Sequence, residues 1–232
     1  MVTLVLSPNW FKGVDSLFEI VSLLICLLIS YYGFKIYNFV NQKKYKTVAL
    51  SFLFIALSFA IKVITNLSIY FQYNKLKLSI LSAMSSTFPA MTSKIMEIQL
   101  IYYVGYFAYR FLFLLALILL LALVLRIKDK RITSIFIVFS IIAAFFSYYF
   151  YYAFHIISAT LLFFVFMHFY ENYSIKKLAS AKYITIAFFL LLISQLVFIF
   201  VLFDSQIYVF GEIIQLVGFL ILLYYYFLVS KK

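Results

Sequence analysis

The chain has 232 residues, 67% of them hydrophobic and 22% aromatic, with 11% charged and a formal net charge of +12. A soluble domain is about half apolar and a quarter charged, so this composition excludes a water-soluble fold and, with it, the nucleic-acid partner that a soluble chain this basic would suggest. Cys26 is the single cysteine, which excludes an intrachain disulfide and a thiolate metal cluster.

The apolar runs are continuous and lack the period-two alternation of a transmembrane barrel. The predicted fold class is all-α: one polytopic seven-transmembrane helix bundle over residues 1–232, in the cell membrane. Spans are expected at about 14–40, 48–72, 99–126, 132–149, 152–170, 184–203 and 208–229. The opening MVTLVLSPNWFKG lacks the basic n-region of a cleaved signal peptide, so the first span is expected to be retained. Asp15, Glu19, Ser22 and Cys26 recur at i, i+4, i+7 and i+11 on it, one helical stripe.

In span two, Ser51, Ser58, Lys62 and Thr65 share a face, with Asn66 beside it. Lys62 stands ~21 Å along its helix at 1.5 Å per residue, too deep to snorkel easily to the inner surface though able to reach toward the outer one, and needs a partner. Residues 73–98 form the one long connection. Leu76, Leu78, Ile80, Leu81 and Met84 give it a short apolar face that Pro89 ends, which predicts an interfacial helix over the bundle; a disordered loop is the competing reading. Span three carries Tyr102, Tyr103, Tyr106, Tyr109 and Arg110. Tyr102 reads as an interfacial belt tyrosine, whereas Tyr106 and Tyr109 are deep enough to line a polar cavity with Arg110.

Residues 132–170 are almost uncharged and, at ~58 Å as one helix, too long for a single crossing. Two helices with a turn near Ser147–Tyr152 are expected. His155 follows that turn, Gln195 lies in span six, and Glu212 and Gln215 stand at i and i+3 in span seven. Gly211, Gln215 and Gly218 form a stripe that admits a close helix neighbour.

Lys43, Lys44 and Lys46; Arg126, Lys128, Lys130 and Arg131; Lys176, Lys177 and Lys182; and Lys231 and Lys232 make up twelve of the 19 Lys and Arg. All twelve fall on one side if the N-terminus is out and the C-terminus in the cytoplasm. The intramembrane polar groups (Asp15, Glu19, Lys62, Asn66, Tyr106, Arg110, His155, Gln195, Glu212 and Gln215) then lie in the outer half or near the midplane, above a dry inner half. Ionisable residues there are functional candidates. The predicted ligand-binding residues are Arg110, Lys62, Glu212, Gln215, Glu19, Tyr106, Asn66, Gln195 and His155, with Glu19 and Glu212 neutralising the two cations when the site is empty. Helix-to-helix ties and a proton path are the competing readings of the same residues.

Other chemistry is harder to place. His155 and His168 have the spacing of stacked haem ligands, but no further histidine exists to complete them. Span seven has no lysine to carry retinal, and no hydrolase, zinc-protease or nucleotide-binding motif is present. No enzymatic activity, cofactor or metal is expected. His168 with Glu171 is a lone i, i+3 pair and reads as interfacial.

The stretches HFYENYSIKK and GEIIQLVGFLILLYYYFLVSKK resemble a group of small archaeal seven-helix membrane proteins, similar in architecture to the sensor regions of prokaryotic seven-transmembrane receptors. Gly211, Glu212, Gln215 and Gly218 carry that resemblance in the last helix. The outward bias of the polar residues points to a receptor-like or sensory protein; as a sensor, a chain whose last residue is Lys232 is expected to need a separate cytoplasmic partner to signal through. The expected partners are the lipid bilayer, a small polar or anionic ligand, and a cytoplasmic or membrane protein. The alternatives are an accessory subunit of a membrane complex and a small transporter or proton pathway.

Overall fold

The computed structural model describes residues 7–8, 10–82, 88–127, 129–147 and 150–230, with side chains for these except 72–82, 88–99, 130, 133, 229 and 230. Among the described residues the chain is all-helical: α1 (Val14–Val40), α2 (Lys43–Ser82), α3 (Phe88–Val124), α4 (Lys130–Phe146), α5 (Tyr151–Lys176), α6 (Ala179–Ile199) and α7 (Ile207–Ser230), with one 3-10 turn at Phe200–Leu202. Six of these contain segments long and apolar enough to cross a bilayer, which makes this a multi-pass membrane protein. The exception is α4, whose apolar part, Ser134–Phe146, is shorter.

Local chemistry sets the helix ends. Asp15 accepts from the backbone N–H groups of Gly13 at 2.8 Å and Ser16 at 2.7 Å, an acid in the first turn of α1. α1 stops at Asn41, which takes the left-handed conformation (φ 52°) and donates its N–H to the Tyr37 carbonyl; asparagine adopts that conformation more readily than most residues. Asp129 caps α4 through the Arg131 N–H. The turn expected near Ser147–Tyr152 is found, with α4 ending at Phe146 and α5 beginning at Tyr151.

The expected interfacial helix is corrected. α2 continues to Ser82 and α3 already begins at Phe88, so most of the connection prolongs two membrane helices. Residues 73–82 contain no Gly or Pro to break a helix. Pro89 sits in the first turn of α3, where its missing N–H leaves no helical bond unmade. The expected apolar face falls on residues whose side chains are not described, and Met84 lies outside the described residues.

α1 packs on α2 and α7, α2 on α3, α3 on α5, α5 on α6, and α6 on α7. Six helices therefore close a ring. α4 stands outside it, against α3 and α5. Close approaches occur where side chains are absent: a Cβ on Gly105 would collide with Thr65 of α2, and the predicted Gly211 and Gly218 stripe faces Phe198 and Leu191 of α6. The starts of α1, α5 and α7 share one end of the bundle, here the N-terminal end; the loops bearing Lys43–Lys46 and Lys176–Lys182 share the other, the basic end. From the middle toward the basic end, Phe52, Ile55, Leu117, Leu120, Phe188 and Leu222 form a continuous apolar core.

Candidate ligand-binding site

The α1 stripe of Asp15, Glu19, Ser22 and Cys26 is buried as its spacing predicts. So is the α2 stripe of Ser51, Ser58, Lys62, Thr65 and Asn66. The hydroxyls of Ser51, Ser58 and Thr65 donate back to carbonyls of their own helix at 2.6 to 2.9 Å. Lys62 and Asn66 are left to reach across the ring.

Lys62 Nζ lies 2.8 Å from Glu19 Oε1 and 3.0 Å from Glu212 Oε1, and it donates to the Tyr208 hydroxyl at 3.3 Å. An ammonium has three donors, and all three are used. The faces of Tyr109 and Tyr208 stand 5.4 and 5.6 Å from the ammonium, a range in which the ring quadrupole attracts a cation. Asn66 donates to both Glu19 oxygens at 3.2 Å, and its own carbonyl accepts from the Tyr106 hydroxyl at 2.7 Å. One hydrogen-bonded chain thus runs through α3, α2, α1 and α7. With both glutamates ionised, the triad of Glu19, Lys62 and Glu212 carries one negative charge in excess. All three are buried, at 0%, 7% and 3% exposure.

The expected neutral pairing of two acids with two cations is corrected. Both glutamates close on Lys62, and among the described residues no acid lies within 4 Å of Arg110. Arg110 Nη1 donates instead to the Ser147 carbonyl at 2.6 Å and to its Oγ at 3.3 Å. The physical reason is the end of α4. Terminal helix carbonyls have no intrahelical partner, and the negative end of the helix dipole favours a cation. The guanidinium also sits between the rings of Tyr106 and Phe154, 5.7 and 5.8 Å away.

His155 Nδ1 is 2.9 Å from Gln195 Oε1 and is enclosed by the rings of Tyr151, Phe154 and Phe198. No described hydrogen bond joins this pair to Glu212, so a continuous relay through Glu212, Gln195 and His155 does not form among the described residues. Gln215 is buried one turn beyond Glu212, outside the hydrogen-bonded chain. Nor do any three His, Cys, Asp or Glu side chains cluster for a metal among the described residues.

These groups surround a cavity of about 40 Å³. One water needs roughly 10–15 Å³ on this measure, so it has room for about three. Of the predicted residues, Lys62, Asn66, Tyr106, Arg110 and His155 form its wall. Glu19 and Glu212 stand behind Lys62, and Gln195 behind His155. The wall also contains Asp15, whose second oxygen accepts from Tyr70 at 2.6 Å, together with Tyr102, Tyr109, Tyr151 and Tyr208. Tyr102 is therefore no simple belt residue; its ring packs 4.6 Å from that of Tyr106. Behind the wall residue Tyr208, Phe11 is 3% exposed and packs on Phe18 and Tyr208. Ser7 reaches the cavity from the same segment. Its Oγ is buried and has no hydrogen-bond partner among the described residues.

Sequence reasoning missed Tyr208, Tyr70, Ser147 and Ser7. Tyr208 was within reach, since it precedes Glu212 by four residues and so shares its helix face. Comparison of the chain with protein-family models, with curated proteins and with solved structures found no match.

Proposed function

We propose that the chain is a receptor-like or sensory protein of the cell membrane, with seven spans, its N-terminus outside and its C-terminus in the cytoplasm. In this reading it binds a small polar or anionic solute in the pocket at the N-terminal end. A cytoplasmic or membrane partner reads the resulting rearrangement at the basic end. The orientation follows from the loop charges, and α4 is counted as a crossing because basic loops flank residues 132–170 on both sides, so that an even number of crossings between them returns the chain to the same side.

The observation that carries the binding reading is Arg110. It is 5% exposed and borders the cavity, and no acid among the described residues lies within 4 Å. A charge at such depth costs at least ~2.5 kcal/mol, and the Ser147 carbonyl offers a dipole where an anion would offer a full charge. A ligand carboxylate or similar group in the cavity that Arg110 lines supplies that charge. The test is native mass spectrometry of protein released from mild detergent, with Arg110→Gln alongside. The expected result is a small-molecule adduct on the unaltered protein that is lost in the variant, while the melting temperature holds. A bare unaltered chain would overturn the reading. A variant that fails to fold would make Arg110 a tie between α3 and α4.

A further inference from the structure

We propose that the pocket takes a zwitterionic solute of amino-acid size, with its carboxylate on Arg110 and its ammonium group beside Asp15. This rests on the binding reading above and names the class of ligand. The charges of the site are segregated by wall. Glu19 of α1 and Glu212 of α7 close on one cation, Lys62 of α2, and Asp15 of α1 accepts from the Tyr70 hydroxyl and from the backbone N–H groups of Gly13 and Ser16. The triad carries one negative charge in excess when its acids are ionised, and Asp15 adds a further carboxylate to that wall. Arg110 comes from α3 and is turned toward α4, which touches neither α1, α2 nor α7. Asp15 and Arg110 both border the same cavity.

A ligand bearing only a carboxylate answers Arg110 and adds a further negative charge to the space. A simple cation answers the acidic wall and leaves Arg110 as it was. A zwitterion answers both and brings no net charge into a site where unpaired charge is costly.

Two further features suit the ammonium end. Tyrosine rings line the cavity, and their faces attract a cation within about 6 Å. The Ser7 Oγ is buried against the cavity and unpartnered among the described residues; a ligand N–H gives it the bond it lacks. Room for about three waters does not hold an amino acid, so in this proposal the segment of Ser7, which lines the cavity, and Phe11, which packs on the wall residue Tyr208, shifts on binding. Trp10, the single tryptophan, is 66% exposed and packs 5.3 Å from Phe11, so its fluorescence reports that shift.

The experiment titrates the full chain in mild detergent with L-alanine, propionate and L-alaninamide, three probes of nearly equal size. Trp10 fluorescence and calorimetry are read in parallel. L-Alanine is expected to bind saturably, and each half-charged probe at least about tenfold more weakly, the cost of losing one charge-assisted hydrogen bond. Asp15→Asn keeps the side chain's shape and is expected to lose affinity for alanine but not for propionate. Propionate binding as tightly as alanine would overturn the zwitterion and leave the anion site standing. Alaninamide binding as tightly as alanine, or no calorimetric binding by any probe, would overturn both. An alanine affinity unchanged in Asp15→Asn would overturn the placement of the ammonium group. If that variant does not fold, the three-probe comparison on the unaltered chain still decides.

Discussion

At the N-terminal end of the bundle, Glu19, Lys62, Asn66, Tyr106 and Glu212 meet in one hydrogen-bonded chain beside a cavity of about 40 Å³. Toward the basic end the same helices close with Phe52, Ile55, Leu117, Leu120 and Phe188 around a gap of about 10 Å³, at the lower limit for one water. Dense apolar packing holds whether or not a ligand is present, and it resists changes of volume. A polar network is directional, so exchanging one partner re-aims several side chains. In the proposed reading this arrangement divides the work: one end keeps the helices together, and the other rearranges when a ligand binds.

The comparison can be broken most severely at its charged centre. Lys62→Leu leaves two carboxylates buried without their cation, and a cost of ~3–5 kcal/mol is expected. Adding Glu19→Gln and Glu212→Gln should recover much of it, read as melting temperature in a fixed detergent. A triple variant no more stable than Lys62→Leu would show that the lysine matters through shape. At the dry end, Leu114→Ala removes a fully buried side chain and should cost ~2–5 kcal/mol, while Leu114→Met should cost under ~1.5 kcal/mol; equal losses would mean that this core does not discriminate by volume. The smallest effect is expected from Tyr106→Phe. It removes the hydrogen bond to Asn66 for ~0.5–1.5 kcal/mol and should vanish in an Asn66→Ala background, a double-mutant cycle that isolates the bond.

Much of this division is legible in the residues themselves. The depth of Lys62 demands a partner, the i, i+4 spacing of Asp15 and Glu19 aims both inward, and Glu212 stands near the start of the last span. What stays hidden has physical causes. Arg110 donates to a main-chain carbonyl, and every residue has one, so no side-chain pattern announces Ser147. Tyr102 and Tyr208 look like belt tyrosines because an aromatic ring with a polar tip suits both the interface and a wet cavity. The prolonged α2 and α3 are masked by composition: outside an apolar segment the pattern loses its contrast, although nothing in it forbids a helix.

The Arg110 contact has a further consequence in the order of synthesis. Its partner lies 37 residues downstream, so α3 enters the bilayer before the carbonyl that its guanidinium bonds has been made, and the arrival of α4 supplies that bond. Lys62 meets a milder version. Glu19 precedes it in the chain, whereas Glu212 follows 150 residues later. α7 then carries its own buried acid to a lysine already waiting, and the ring closes on an electrostatic latch whose two halves are made 150 residues apart.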